Sequence, residues 1–198
     1  MKSAIGVFGG TFNPVHAGHI EVAKAALKEC NLSKVIFLPN GNPPHKQGEI
    51  IAPSHHRYNM IKLAIDGIDS FEVSDYELKR QEPSYTIDTN RVFKTMYDCP
   101  VFFIIGADSL HTLSTWRNYD ALIHECSFIV APRDDSDFEK LCAECDMHNL
   151  KGGKAIPLKM NLYDAKSTDI RHAVNQNDIT EFLLPQKVAS YIKKHNLY

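Results

Sequence analysis

No stretch of this 198-residue chain approaches the ~20 consecutive apolar residues that a membrane-spanning helix needs, which sets aside a helical membrane protein. Charge of one sign is also missing. Lys and Arg number 22 against 24 Asp and Glu, a net charge of −2, so there is no basic field of the kind that binds nucleic acid. The five cysteines are an odd count, scattered and mostly flanked by apolar residues. They read as reduced thiols in a cytoplasmic protein and not as a disulfide scaffold. Met1-Lys2-Ser3 leads straight into a short apolar segment and lacks the apolar core of a secretory signal. There is no repeat, no low-complexity tract and no long linker. Two familiar phosphate motifs are absent as well, the Walker A Gly-Lys-Ser/Thr and the Gly-x-Gly-x-x-Gly dinucleotide fingerprint. Nor is there a His-Asp dipeptide, which leaves no support for an appended metal-dependent phosphohydrolase.

What is present is 43% hydrophobic residues, enough for one core and too few for two full-sized domains. Short apolar runs alternate with helical periodicity. Strands are expected at Ala4–Phe8, Val35–Leu38, Phe71–Val73, Val101–Ile105, Phe128–Ala131 and Ala155–Leu158, with another extended piece at Tyr76–Leu78. Helices are expected from Ile20 to about Cys30, from Ser54 (as its cap) to about Ile65, from Ser84 or Thr86 through Met96, from Phe138 to Met147, from Ser167 to about Val174 and from Pro185 to about Lys194. Val101-Phe102-Phe103-Ile104-Ile105 is the most apolar run and reads as a central strand buried on both faces. The pattern predicts an α/β fold, a Rossmann-like doubly wound parallel sheet, in one domain over residues 1–198. Its core spans 1–160, followed by a small helical part at 161–198. Polar and unusual residues gather where the strands end, the side on which open parallel sheets bind ligands.

The first such stretch is Gly9-Gly10-Thr11-Phe12-Asn13-Pro14-Val15-His16-Ala17-Gly18-His19. A glycine turn between strand and helix aims backbone N–H groups and the positive end of a helix dipole at one point, a phosphate site. His16 and His19, three residues apart, are expected on one face of the first helical turn, with Gly18 permitting close approach. Far along the chain, Lys166-Ser167-Thr168-Asp169-Ile170-Arg171 starts a helix with two hydroxyls and an arginine, a second set of anion donors. Lys46, at the end of the Pro43-Pro44-His45-Lys46 loop, is a third cation. Trp116, the only tryptophan, follows Leu113-Ser114-Thr115 on a polar segment, outside any apolar stripe. Cys142 and Cys145 share a helical face with Phe138 and Leu141, which reads as core packing. Arg57 fits either a surface residue or a phosphate partner.

The Gly-Gly-Thr-Phe-Asn-Pro stretch followed by His-x-Gly-His resembles the signature of the nucleotidyltransferase superfamily, and Ser167 to Arg171 is similar to that family's Ser-Ser-Thr-x-Ile-Arg motif, with Lys166 in place of its first Ser. Pro83 to Thr89, Gly106-Ala107-Asp108, the Trp116 segment and the ending Leu184-Pro185 to Tyr198 resemble bacterial nicotinate-nucleotide adenylyltransferases. Where this chain has Asn13, those proteins typically carry Asp.

The resemblance implies adenylyl transfer from ATP to nicotinate mononucleotide, with Mg²⁺, giving nicotinate adenine dinucleotide and pyrophosphate, a step of NAD biosynthesis. It implies catalytic roles for His16, His19, Lys46 and Arg171. For ATP it implies Gly9, Gly10, Thr11, Phe12, His16, Gly18, His19, Gly106, Asp108, Ser167, Thr168, Ile170 and Arg171. For the acceptor it implies Asn40, His45, Lys46, Thr86, Trp116 and Arg117, the indole stacking on the pyridine ring. Phosphopantetheine adenylyltransferase and a nucleotide-binding sensor without catalysis are the alternatives. The partners implied are small molecules, with no nucleic acid or membrane, and the resemblance allows a homo-oligomer.

Overall fold

The computed structural model describes residues 3–41, 51–80, 82–132, 138–161, 165–176 and 183–198. Six strands form a single parallel sheet in the order β3-β2-β1-β4-β5-β6: β1 (Ile5–Gly10), β2 (Lys34–Pro39), β3 (Phe71–Val73), β4 (Val101–Gly106), β5 (Ser127–Ala131) and β6 (Ala155–Pro157). Among the described residues, eight helices accompany them: α1 (Ala17–Glu29), α2 (Ser54–Ala64), α3 (Thr86–Tyr97), α4 (Ala107–Thr112), α5 (Tyr119–Glu125), α6 (Phe138–Leu150), α7 (Ser167–Asn175) and α8 (Gln186–His195). This is the Rossmann-like α/β architecture expected from the alternation of short apolar runs and helical segments. The strand order reverses between β1 and β4, so the glycines that end those two strands stand at the topological switch point.

The chain forms two compact units. One comprises Met1–Gly9, Val22–Ile36 and Ser84–Leu162; the other comprises Gly10–Glu21, Phe37–Pro83 and Tyr163–Tyr198. In the first, β1 pairs in parallel with β4 (Ile5 opposite Val101, Phe8 opposite Ile104), β4 with β5 (Phe103 opposite Phe128) and β5 with β6 (Ile129 opposite Ile156). Ile5, Ile104, Phe93 and Phe128 are fully buried there, as continuous apolar strands in a parallel sheet require. Asn90 donates to the Glu125 carbonyl at 3.0 Å, and Arg91 grips the Glu125 carboxylate with two hydrogen bonds, tying α3 to α5. In the second unit Phe37, Leu38, Met60 and Ile61 form the apolar interior. The largest fully buried side chain among the described residues belongs to that unit and is a charged one, Arg57.

Three local expectations are corrected. Tyr76–Leu78 is a turn and not an extended piece: Asp75 accepts the N–H groups of Leu78 and Lys79 at 3.0 and 3.2 Å, and its carboxylate pairs with Lys79 at 2.8 Å. Between the expected strands Val101–Ile105 and Phe128–Ala131, where no helix is expected from sequence, lie α4, the 3-10 turn Leu113–Thr115 and α5; each is too short to display two turns of periodicity. Ser54 is the first residue of α2, and Pro53 stands at the cap position with no side-chain hydrogen bond. The CxxC helix also packs differently in part. Leu141, Cys145 and His148 are its buried residues, whereas Phe138 is 36% exposed. No described helix is long and apolar enough to cross a membrane.

Phe128 lies at the centre of this packing, with no exposed surface and the His148 ring edge-on at 5.9 Å. Phe128→Ala should lower the unfolding free energy by about 3–5 kcal/mol, measured by urea titration.

Candidate functional site

Gly10 to His19 belong to the second unit, and their local geometry explains the His-x-Gly-His spacing. α1 begins at Ala17, so His16 lies one residue ahead of the helix and not on its first turn. The His16 carbonyl accepts the N–H of His19 at 3.0 Å, while the His16 N–H donates to Nδ1 of His19 at 3.2 Å. The second bond is half of a capping box, with His19 in the place usually held by Glu or Gln; the other half is replaced, because the His16 carbonyl and not its side chain accepts the His19 N–H. The arrangement draws the two imidazoles together, with ring centroids 3.7 Å apart. A ring nitrogen that accepts a backbone N–H carries no proton, so neutral His19 keeps its proton on Nε2. Gly18 makes room for the pair: a Cβ there would meet Cε1 and Nδ1 of His16 at 3.1 Å.

Burial decides the charge of both rings. His16 is pushed down to about 4 by desolvation. His19 is pushed well below its usual value by burial first and by neighbouring His16 second. At neutral pH the two rings are therefore uncharged hydrogen-bonding groups. His16 Nδ1 is buried and has no hydrogen-bond partner among the described residues. The Ala17 N–H is donated to the Leu183 carbonyl at 3.0 Å, so the N-terminus of α1 is less open to an anion than the sequence suggests.

The turn itself is held from several sides. Phe12 has φ +49°, and its ring packs edge-on against His19 at 5.0 Å. Asn13 is 2% exposed; its Oδ1 accepts the Ala52 N–H at 3.0 Å and the Tyr198 hydroxyl at 2.8 Å. Burial pushes the Tyr198 phenol well up, partly offset by Arg171 and Arg57, so it stays protonated and donates. Arg171 donates to the Asn13 carbonyl at 2.9 Å, and the Ser167 hydroxyl donates to the Pro14 carbonyl at 3.0 Å. The second anion motif thus docks on the first through two of its own polar groups. Thr168 is exposed, whereas Ile170 is buried with its N–H donated to the Lys166 carbonyl at 3.1 Å. The Asn40 N–H donates to the Gly10 carbonyl at 3.0 Å, and Asn40 Oδ1 is buried with no partner among the described residues. His45 and Lys46 lie outside the described residues.

In the first unit, Gly9 and Gly106 come at the carboxyl ends of β1 and β4, and a Cβ at either would meet nothing described within 4 Å. Neither has a positive φ. Free space beside the backbone, and not strain or crowding, is what these glycines provide. Asp108 is exposed in the first turn of α4. Thr86 is the first residue of α3, half-buried. Trp116 follows the 3-10 turn and is half-buried, not part of the core. The Arg117 guanidinium lies over the Tyr85 ring, 4.4 Å from its centroid.

Arg57 is neither of the things its place in the sequence offered, a surface residue or a phosphate partner, for it is 1% exposed. Its guanidinium faces backbone oxygens only: Nε donates to Ala52 at 3.1 Å, Nη1 to Thr11 at 2.8 Å, and Nη2 to Asn40 at 2.8 Å and Gly41 at 3.2 Å. The available signal was spacing, because Arg57 precedes the buried Met60 and Ile61 by three and four residues and so shares their helical face.

The cytidylyltransferase-like family matches residues 7–173. Among curated relatives, the chain is 39% identical to a probable nicotinate-nucleotide adenylyltransferase of Clostridium novyi, over 98% of each chain. It is also 39% identical to one of Caldicellulosiruptor bescii, over 100% of this chain and 99% of that one. Among solved structures, it superimposes on Plasmodium falciparum nicotinic acid mononucleotide adenylyltransferase complexed with NaAD with a TM-score of 0.81 at 19% identity, covering 100% of this chain and 98% of that one. The same protein complexed with APC gives a TM-score of 0.80 at 19% identity, with the same coverage. At such identity the structural likeness speaks for the fold.

The depressed histidines make a definite acid response. The unfolded chain takes up protons at its histidines near the usual 6.5, while folded His16 does so only near 4. Stability should therefore fall as pH drops from 6.5 towards 4 and cease to fall from this source below that. A histidine-resolved NMR titration should find the His16 C2–H shift flat from pH 8 to about 5, and an inflection near pH 6.5 would contradict the burial.

Proposed function

The chain belongs to the nicotinate-nucleotide adenylyltransferase family, and we propose that it joins the adenylyl group of ATP to the phosphate of nicotinate mononucleotide, releasing pyrophosphate, as a single nucleotidyltransferase domain over residues 1–198. The observation that carries this reading is the neutral, closely apposed His16–His19 pair after the glycines that end β1, in a chain 39% identical to such a protein over 98% of its length. The acceptor phosphate is ionised at neutral pH, so the reaction needs little base catalysis. It needs two anions held in line and the charge on the transferring group and leaving pyrophosphate stabilised.

Each residue group then has a task. The Nε2–H of His19 and the His16 ring donate to oxygens of the α- and β-phosphates. Lys46 and Arg171 serve the β- and γ-phosphates, and Ser167 and Thr168 present hydroxyls near them. Thr11 and Phe12 border the nucleotide, Gly9, Gly10, Gly18 and Gly106 let its backbone-facing side approach closely, Asp108 faces the ribose, and Ile170 anchors the helix that bears Arg171 in the interior. On the acceptor side the Trp116 indole stacks on the pyridine ring. Thr86, with the backbone after Trp116, binds the ring carboxylate, and Asn40, His45, Lys46 and Arg117 complete the set. Uncharged imidazoles suit this chemistry, because a donor that keeps its proton stabilises developing charge without a proton transfer.

Nucleotidyltransferases of this kind use ATP with a divalent metal. The described residues include no group of three or more His, Cys, Asp or Glu able to hold one. Mg²⁺ is ordinarily bound through substrate phosphates and water with one or two carboxylates, a mode in which the polyphosphate would be its main ligand. When bound, it neutralises charge on the polyphosphate. The five cysteines are free, in keeping with a cytoplasmic enzyme.

Incubation with ATP, Mg²⁺ and nicotinate mononucleotide should release pyrophosphate. Phosphopantetheine in its place should not. His19→Ala should reduce kcat on the order of 10²–10³-fold, the loss typical of removing one preorganised donor. Trp116→Ala should instead raise the KM for the mononucleotide and leave that for ATP nearly unchanged; an unaltered mononucleotide KM would remove Trp116 from the acceptor site.

A further inference from the structure

Phe12 is the one bulky residue of the glycine turn, and its φ of +49° lies in the left-handed region that aromatic side chains avoid. A residue persists there only when its surroundings over-determine it, and such residues gather at functional sites. The surroundings here are specific. On one side the Thr11 carbonyl accepts Arg57 Nη1 at 2.8 Å. On the other, Asn13 is taken at both ends: its carbonyl by Arg171 at 2.9 Å and its Oδ1 by the Tyr198 hydroxyl at 2.8 Å and the Ala52 N–H at 3.0 Å. The two sides share an anchor, since Arg57 Nε also donates to the Ala52 carbonyl at 3.1 Å. Ala52 therefore joins Arg57 to Asn13 through its own N–H and C=O. Between these fixed points Phe12 has little freedom. Its ring stands edge-on to His19 at 5.0 Å and also rests on Phe37 at 5.8 Å.

We propose that Arg57 and Tyr198 are positioning residues for the transfer reaction, a two-sided clamp on Thr11 and Asn13 that holds Phe12 in its left-handed conformation and thereby seats the His19 imidazole. The inference rests on the adenylyltransferase reading for its kinetic consequence, and on the geometry alone for its structural one. Arg57 acts through the backbone, because its four hydrogen bonds among the described residues end on backbone carbonyls of this chain. A guanidinium is required, since an ammonium presents its donors from a single point and cannot span carbonyls belonging to three chain segments. Tyr198 contributes one hydroxyl, 185 residues away in sequence from the group it holds. Misplacing a donor by about 1 Å can cost a factor near 10² in rate, which sets the scale of the expected effect.

The test uses the full chain with Arg57→Lys and Tyr198→Phe, the second keeping the proposal falsifiable if the first variant does not fold. With ATP, Mg²⁺ and nicotinate mononucleotide, Tyr198→Phe should lower kcat roughly 10-fold and Arg57→Lys roughly 10²-fold, with both KM values within about threefold of the parent. Nitrogen-15 NMR of the imidazoles, on protein without nucleotide, should show His19 in one tautomer with an unprotonated Nδ1 in the parent and a mixture of tautomers in each variant. Unchanged kcat with an unchanged His19 spectrum would overturn the proposal. So would a loss of kcat that merely follows a lowered melting temperature while the His19 spectrum stays as in the parent. If the parent releases no pyrophosphate yet the variants disturb the His19 tautomer, the adenylyltransferase reading fails and the clamp stands.

Discussion

The bond from the His16 N–H to His19 Nδ1 is the constraint on which the site depends. It fixes the tautomer of one ring, sets the distance between two and closes the start of α1 at the same time. The three-residue spacing of the histidines is the spacing of a capping box, and Gly18 between them is the space His16 occupies. A motif that reads as a binding signature is therefore first a solution to a local folding problem. The helix would otherwise begin with unpaired N–H groups, and here the same side chain that pairs one of them is aimed for function.

Burial then converts this geometry into chemistry. Two imidazoles with centroids 3.7 Å apart would repel if both were charged, and desolvation removes the question by holding His16 near 4 and pushing His19 well below its usual value. The positive charge that a polyphosphate needs must come from elsewhere. Arg57, the largest fully buried side chain among the described residues, does not supply it, because its donors are taken by carbonyls. Arg171 remains half-buried at the start of a helix whose hydroxyls are partly exposed. The division is physical: one arginine holds the backbone in place from inside, and another is left in reach of solvent.

Much of the fold was legible because its signals are local. The five-residue run Val101 to Ile105 is apolar and is a central strand; β1, expected to stop at Phe8, runs on through Gly9 and Gly10 before the chain turns. Where signals were short, legibility failed. α4 and α5, with six and seven residues, carry too little periodicity to be seen, and Tyr76–Leu78 alternates like a strand while Asp75 and Lys79 close it into a turn. The site divided along the same line. The histidines and the Ser167–Arg171 segment announce themselves by composition. Arg57 does not, because nothing in sequence reveals that a charged residue will be satisfied by carbonyls brought from residues 11, 40 and 41. Non-local partners are invisible to spacing.

Asn13 brings these threads together. Resembling proteins typically carry Asp at this position, and the structure shows what either residue has to provide: one oxygen accepting two hydrogen bonds, from Ala52 and from Tyr198. That task needs a lone-pair acceptor and no charge. A carboxylate would perform it while setting a negative charge among Arg57 and Arg171, both of which lie close enough to influence the Tyr198 phenol. An amide performs it and leaves the positive potential of Arg171 undiminished at that point. Because Asn13 is only 2% exposed, solvent would have screened such a charge weakly. The substitution thus preserves the hydrogen-bonded anchor of the turn and changes its electrostatics in the direction that favours an incoming anion.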